Sequence, residues 1–578
     1  MQKARPSRLQ GFPLPDFDWD HEEVSREDEN TSWVEKNHID SDTPLDTFLG
    51  ILEPSPRSSY ERPIISSICA NHSLEALRDD IKSIPCTLAA WLDERSKLGG
   101  ARRGNGPVSA RELYEKLKRK RFKEDGIPDA ETRRIYLPDP GAWAVAALIW
   151  TASPNFAPIF RDFLWKHLMS HKSFTATFSV RFILFGCLYG PFSFKLEFHI
   201  SYYVWGEGTE IRRDIREKPN GDPWRSSTDL SFLLGFRGSG GDGEPTECLY
   251  EAQTSLVVSG PNASIWTACL LTDTYFRDQL DANDEELLSY HEAAWINDGL
   301  YYDPLTCGVH DATIPVWNPR EYYCLVLMVR ITRIKEEWIK IYYHLTDRID
   351  AYLQKSGIPK STDVSSLGSA QGQSRAIEEI CHWIKQVTDL VNRFIDTLSK
   401  VLDSWAWFTE GDISHFANGA SNKLKLSIHN INTVMETDLH EVLTQLDSLR
   451  AKLDQFRCEI QLYLEVASNR AITLQYWNIN IFTNSLLDAF RITYSSILWH
   501  NAIRNHYISA STDTTDDVKS SSKSLYSMIN VYRSLLRGIR TSVEMPNGAH
   551  QNLESSLGSF ELTEKKFGGW TYAGCIVA

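Results

Sequence analysis

Between Asn318 and Tyr507 apolar residues recur in alternating steps of three and four. The first run is Cys324, Leu327, Ile331, Ile334, Trp338, Ile341 and Leu345, with Tyr352 following a gap at Arg348. A second run is unbroken: Ile377, Ile380, Ile384, Val387, Val391, Phe394, Leu398, Val401 and Trp405. The third is Leu439, Val442, Leu446, Leu449, Leu453, Phe456, Ile460 and Tyr463. Such alternation keeps one seam on one face of a slightly underwound helix, the condition for coiled-coil packing. At 1.5 Å per residue each helix would run roughly 35–45 Å. The linkers 356–374 and 409–422 are rich in Gly, Ser and Asn and can reverse the chain, so antiparallel neighbours are expected. Trp383, Leu390, Ile395, Leu402 and Leu443 widen the apolar face beyond a two-stranded seam. That width suits a bundle, within the chain or between copies.

Upstream the texture differs. Phe194–Trp205 (FKLEFHISYYVW) alternates in part and is rich in β-favouring residues. Leu249–Phe276 splits at Ser259-Gly-Pro-Asn262 into two strand-like runs, a predicted hairpin. Ser109-Ala-Arg-Glu112 is a capping-box pattern opening a helix over ARELYEKLKRKRF, and 133–170 reads as two short helices around Pro154 and Pro158. The expected organisation is α+β. Residues 1–70 form a disordered acidic region and 72–320 a mixed α/β domain. A bundle of long antiparallel coiled-coil-like helices follows over 321–507. Residues 508–578 form a largely disordered tail with one short helix at Leu525–Leu536.

Composition narrows the function classes. Sixty-one Lys+Arg against 76 Asp+Glu give a net charge of −15, which argues against a nucleic-acid partner. Ten cysteines are scattered with no C-x-x-C pair, the pattern of buried intracellular thiols. The start lacks the apolar core of a secretory signal, and the N-x-[ST] triplets at Asn30, Asn71 and Asn262 are read as chance. The best uncharged stretch, 141–160, is interrupted by Pro154 and Pro158, and 471–487 carries Thr, Gln and three Asn. Neither reads as a membrane span. A cytoplasmic protein, at most peripherally attached to membrane, is expected.

Chemical motifs are sparse. Gly238-Ser-Gly240-Gly-Asp-Gly243 fits a dinucleotide fingerprint by letter, but Glu244-Pro245 and a strand-like run follow where a helix is needed, so it reads as a loop. No Walker, nucleophile-elbow or H-E-x-x-H pattern occurs. His291-Glu292 lacks a second His, while His199 and His382 read as structural and Asp284–Glu286 as solvated. The run Lys116–Lys123 (KLKRKRFK) reads as the wet face of a helix, with anion binding or nuclear import as the alternative. Cys575-Ile-Val-Ala578 has the C-a-a-X form and makes Cys575 a candidate lipidation site, although only Lys565-Lys566 lie nearby as a second signal. No catalytic residue is nominated, and no enzyme is expected.

One series of segments carries a family likeness. RRIYLPDPGAWAVAAL (133–148), FKLEFHISYYVW (194–205), STDLSFL (227–233), LYEAQTSLVVSG with SIWTACLLTDTYF (249–276), DPLTCG (303–308), NPREYYCLVLMVRITRIKEEW (318–338), SWAWFTEGDISHF (404–416) and LEVASNRAITLQ (464–475) follow in order. Together they resemble fungal proteins with a CorA-like domain, distant relatives of the CorA magnesium transporters. The resemblance implies a cytosolic α/β domain followed by long helices that, in the transporters, form the funnel and stalk of a pentameric channel. It also implies Mg²⁺ at acidic domain contacts, with no ligand transferable by position. Membrane-spanning relatives continue into two apolar helices joined by Gly-Met-Asn; 476–507 here has no such tripeptide and many polar groups. The expected function is therefore a non-catalytic CorA-like-domain protein acting through homo- or hetero-oligomerisation or regulation. The alternatives are a metal-ion transporter with an altered membrane segment, or a coiled-coil scaffold.

Overall fold

The computed structural model describes residues 26–36, 58–69, 87–179, 193–234, 246–277, 301–355, 370–473 and the strands within 182–189 and 560–577, apart from single positions inside these ranges, plus isolated residues such as Trp19. The Gly-rich stretch 235–243, Asp284–Glu286, His291, residues 476–507 and the helix expected at Leu525–Leu536 lie outside them.

Nine strands among the described residues form one mixed sheet. In chain order its strands are β1 (Leu88–Ser96), β2 (Gly100–Ala101), β3 (Gly106–Ser109), β4 (Thr132–Pro138) and β5 (Ser173–Ser179). After the small hairpin β6 (Phe182–Leu184) and β7 (Cys187–Tyr189) come β8 (Ser193–Gly208), β9 (Ser227–Asp229), β10 (Thr246–Gly260) and β11 (Trp266–Thr272). The main path is β2-β1-β4-β11-β10-β8-β5, with β3 on β1 and β9 on β10. Every pair is antiparallel except β4 with β11. The predicted hairpin is β10–β11. At its turn Asn262 Oδ1 accepts from the Ser264 and Ile265 amides, and a Cβ at Gly260 would lie 2.1 Å from the Ile265 carbonyl oxygen, so only glycine fits.

Alternate residues of each strand face opposite sides of the sheet, and both sides are covered. On one side lie α1 (Arg26–Asn30), α2 (Trp33–Lys36), α3 (Ser58–Cys69), α4 (Ala110–Leu117), α5 (Ala142–Thr151) and α6 (Phe156–Leu168). Their apolar residues join Ala90, Leu92, Ile135, Leu137, Val257, Cys269 and Leu271 in one core. Parts of the acidic N-terminal region thus contribute to this core: Trp33 is buried, and its indole donates to the Ile149 carbonyl.

The stretch 133–170 departs from the two helices expected of it. Residues 133–138 are the buried strand β4, and the helices are α5 and α6. TRRIYLP has no period-two alternation because both faces of this central strand are covered, and its polar arginines face buried carboxylates rather than water. Pro158 is tolerated because it stands in the first turn of α6, where no intrahelical N–H bond is lost.

The other side is covered by α7 (Pro319–Lys355), α8 (Ala370–Glu410), α9 (Ile413–Ala417), α10 (Asn422–Thr433) and α11 (His440–Thr473), the last two joined by a π-helical turn at Val434–Leu439. Leu327, Ile331, Trp338, Ile341, Leu345, Ile384, Val391, Phe394, Leu398, Leu439, Leu446 and Leu453 are buried there with Phe174, Leu196, Phe198, Ile200, Leu256 and Leu270 of the sheet. Contacts fix the chain directions. Tyr352 stacks on Trp383 at 3.6 Å between centroids and Trp338 meets Phe394 at 5.8 Å, so α8 runs antiparallel to α7, and Phe416 of the following α9 meets Tyr323 at 5.7 Å. Lys335 with Asp438, and Lys452 with Asp350, show that the segment from Asp438 to Lys452 runs parallel to α7.

Separately, β12 (Phe560–Phe567) and β13 (Trp570–Val577) form an antiparallel hairpin in which Cys575 stands opposite Leu562. Among the described residues no helix is long and apolar enough to cross a membrane.

Candidate functional site

The β8 sequence FKLEFHISYYVW sends Phe194, Leu196, Phe198 and Ile200 toward the long helices and Glu197, His199 and Ser201 toward α6. The polar row is as buried as the apolar one: Glu197, His199, Gln253, Ser255, His167 and Asp273 are all fully enclosed. Buried polar groups need internal partners, and here they supply one another in part: both imidazole Nε2 atoms and Glu197 Oε2 are buried beyond hydrogen-bond distance of a partner.

Ser255 Oγ lies 3.1 Å from His167 Nδ1 and 2.9 Å from His199 Nδ1. Behind each imidazole stands a carboxylate, Asp273 at 3.5 Å from His167 Nε2 and Glu197 at 3.9 Å from His199 Nε2. Asp273 also accepts from Arg225 Nε, from Arg216 Nη2 at 2.8 Å and from the Gln253 amide at 2.8 Å. Arg225 turns its other nitrogens to the last carbonyls of α6, His167 O at 2.7 Å and Leu168 O at 3.0 Å, closing a helix end that would otherwise leave acceptors unpaired. Glu197 is held by Lys166, by Thr175 Oγ1 at 3.0 Å and by Lys195 at 3.2 Å.

Burial pulls both histidines down to about 4, so both are neutral at pH 7. Burial alone would raise Asp273, but Arg225 and Arg216 outweigh it and hold the carboxyl well below the usual range. Glu197 is likewise held low, its burial outweighed by His199, Lys195 and Lys166. The Asp–His–Ser grouping has the residue types of a nucleophilic relay, yet Ser255 and both rings are sealed beneath α6, and no substrate carbonyl can reach the hydroxyl. Its chemistry is to hold protons and to lock α6 to β8 and β10. His199, read from sequence as structural, sits in it; His382 is exposed on α8.

A second buried network joins the sheet to α7. Arg134 on β4 donates to Asp93 from Nε at 2.9 Å and to Asp303 from Nη1 at 3.1 Å, and Tyr322 Oη donates to Asp303 at 2.7 Å. Arg330 on α7 donates to Leu305 O at 2.9 Å and to Pro304 O, with its guanidinium over the Tyr136 ring. The segment DPLTCG is thus the hub, built by the Asp303 cap on Leu305 N and by Cys307 at φ 51°, in the left-handed region.

The basic run 116–123 corrects the expectation of a wet helix face. The helix ends after Leu117, Lys118–Lys120 are exposed, and Arg121 turns inward. Arg121 donates to Ala130 O, to Trp266 O at 2.7 Å and to Glu131 O at 2.9 Å, and pairs with Glu29, so its charge serves carbonyls at the ends of β4 and β11. The capping box at Ser109 and Glu112 is formed as expected.

At the far end of β8 and β10, Glu207, Glu247 and His344 bring one ligand atom each within 4.8 Å of the others. An imidazole in this set fits Mg²⁺ poorly, because that ion prefers an all-oxygen octahedral shell and its own waters. On β13, the candidate lipidation residue Cys575 occupies a strand position opposite Leu562.

No family model matches the chain, and no curated protein does.

Proposed function

We propose that this chain is a non-catalytic regulatory and assembly module of the CorA-like-domain kind, in which long coiled-coil-like helices carry changes at the sheet to partner subunits. One arrangement supports the reading. α7 is fastened to the sheet by charged hydrogen bonds at Asp303, Leu305 and Glu247, then continues unbroken to Lys355 against α8 and α11. A helix so anchored moves as a rod when its base shifts, since hydrogen-bonded and packed elements rearrange together. The order of elements, a mixed α/β part followed by long helices, is also what the family resemblance implies. Charged contacts such as Lys452–Asp350, exposed along the rod, supply rim groups of the kind that set partner choice between helices.

The test is the oligomeric mass of the full chain by light scattering, in chelator and in millimolar Mg²⁺. A defined oligomer, with a mass or radius that changes on adding Mg²⁺, is the expected result. An unchanged monomer under both conditions removes the reading.

A further inference from the structure

We propose that Glu207, Glu247 and His344 bind a borderline transition-metal dication of the Zn²⁺ type, pinning α7 to the end of the β8–β10 pair. This inference does not depend on the assembly reading.

Register supplies the first observation. Glu207 and Glu247 are direct cross-strand partners, and like charges directly opposite one another destabilise a sheet. A cation between or beside the two groups relieves that repulsion. Arg348 provides one positive charge, donating to both oxygens of the buried Glu247, Nε at 3.1 Å. One guanidinium faces Glu247, its cross-strand partner Glu207 and the adjacent Asp347, so negative charge is left over at this corner.

His344 provides the second observation. It stands one helical turn before Arg348 and therefore on the same face of α7. Its ring stacks on Trp205, with centroids 5.2 Å apart and planes within 10°. Trp205 precedes Glu207 by two residues on β8 and shares its face of the sheet. The imidazole thus stacks on one indole face, with one ring nitrogen within 4.8 Å of a carboxylate oxygen of each glutamate. Arg348 in turn acts as the outer partner that orients a ligating carboxylate.

The donor set decides the ion. One imidazole nitrogen and two carboxylate oxygens, with water completing the shell, make a three-ligand zinc-type site with bonds of about 2.0–2.2 Å. Ligand atoms around such an ion lie roughly 3.3 Å apart, and the exposed Glu207 side chain can close the remaining gap by torsion. Imidazole favours Zn²⁺, Cu²⁺ or Ni²⁺ over Mg²⁺ or Ca²⁺.

The experiment uses the full chain stripped of metal by chelator, titrated with Zn²⁺ by calorimetry and with Co²⁺ as an optical probe. One tight equivalent is expected, with visible Co²⁺ d–d bands that appear at the same stoichiometry. Affinity should fall at least about tenfold in Glu207→Gln and in His344→Asn. Glu207 is exposed, so Glu207→Gln tests the site without disturbing the fold, which circular dichroism checks. Absence of a stoichiometric Zn²⁺ equivalent overturns the proposal. So does an affinity and Co²⁺ spectrum unchanged in both variants, as binding at cysteines would give. Displacement of Zn²⁺ by equimolar Mg²⁺ overturns the assigned class of ion.

Discussion

His167 and His199 aim their Nδ1 atoms at the same oxygen, Ser255 Oγ, from 3.1 and 2.9 Å. A hydroxyl has one proton to donate, so it donates to one ring and accepts from the other. With both imidazoles neutral, one ring carries its proton on Nδ1 and the other on Nε2. Nitrogen-15 spectra of histidine-labelled protein at pH 7, assigned with His167→Asn and His199→Asn, should show these two rings as opposite tautomers. Two identical tautomers would contradict the shared hydroxyl.

The same pair makes stability depend on acid. Both native histidines titrate at about 4, whereas an unfolded histidine titrates near 6.5. Between those values the unfolded chain binds more protons, so stability rises with pH through this window and falls on acidification. Asp139 works the opposite way: burial lifts it to about 6, the native state holds its proton between the ordinary value and 6, and its contribution declines as pH rises there. Two histidines against one aspartate leave a net positive slope. Replacing His167 by Asn should lower that slope by up to about 1.4 kcal/mol per pH unit near pH 5, read from urea unfolding at pH 5, 6 and 7. An unchanged slope would remove His167 from the account.

Asp303 receives both Arg134 and Tyr322 in a fully buried position. Asp303→Ala leaves Arg134 with part of its charge uncompensated, at a cost of about 3–5 kcal/mol. Because the hub also fixes the start of α7, protease cleavage near 319–330 should accelerate in the variant under native conditions. Equal midpoints of unfolding and equal cleavage for variant and parent would show that the hub does not hold α7.

Leu398 and Val391 are completely buried on α8. Aspartate at either position places a charge among Phe394, Trp338 and the sheet residues, at a cost of at least about 3 kcal/mol. Circular dichroism should show lost helix content, and near-ultraviolet signals from Trp338 and Trp405 should collapse with it, since the seam and the sheet face share one core. Full helix content in Leu398→Asp would reject the packing described.

Local order accounts for what was readable beforehand. The three helical runs, the β8 strand, the β10–β11 hairpin and the capping box at Ser109 rest on spacings of two to four residues, and periodicity reports those directly. The candidate sites do not. Ser255 meets His199 56 residues away and His167 88 residues away, and neither distance leaves a signature in a window of ten. The available hint was the alternation in FKLEFHISYYVW, whose polar row reads equally well as a solvated face. Arg121 misled for the same reason, as one basic letter in a basic run.

The sequence by itself determined the three long helical runs, the β8 strand, the β10–β11 hairpin and the capping box at Ser109, together with the apolar seam of each long helix, and that no described helix is greasy enough to cross a bilayer. Tertiary structure alone decided that the polar face of β8 lies under α6, that Arg134 finds Asp303, and that Glu207 is paired with Glu247 at one corner of the sheet. Backbone periodicity is set by neighbours along the chain. The partner of a buried charge is set by register and layer packing, which join residues that no local pattern connects.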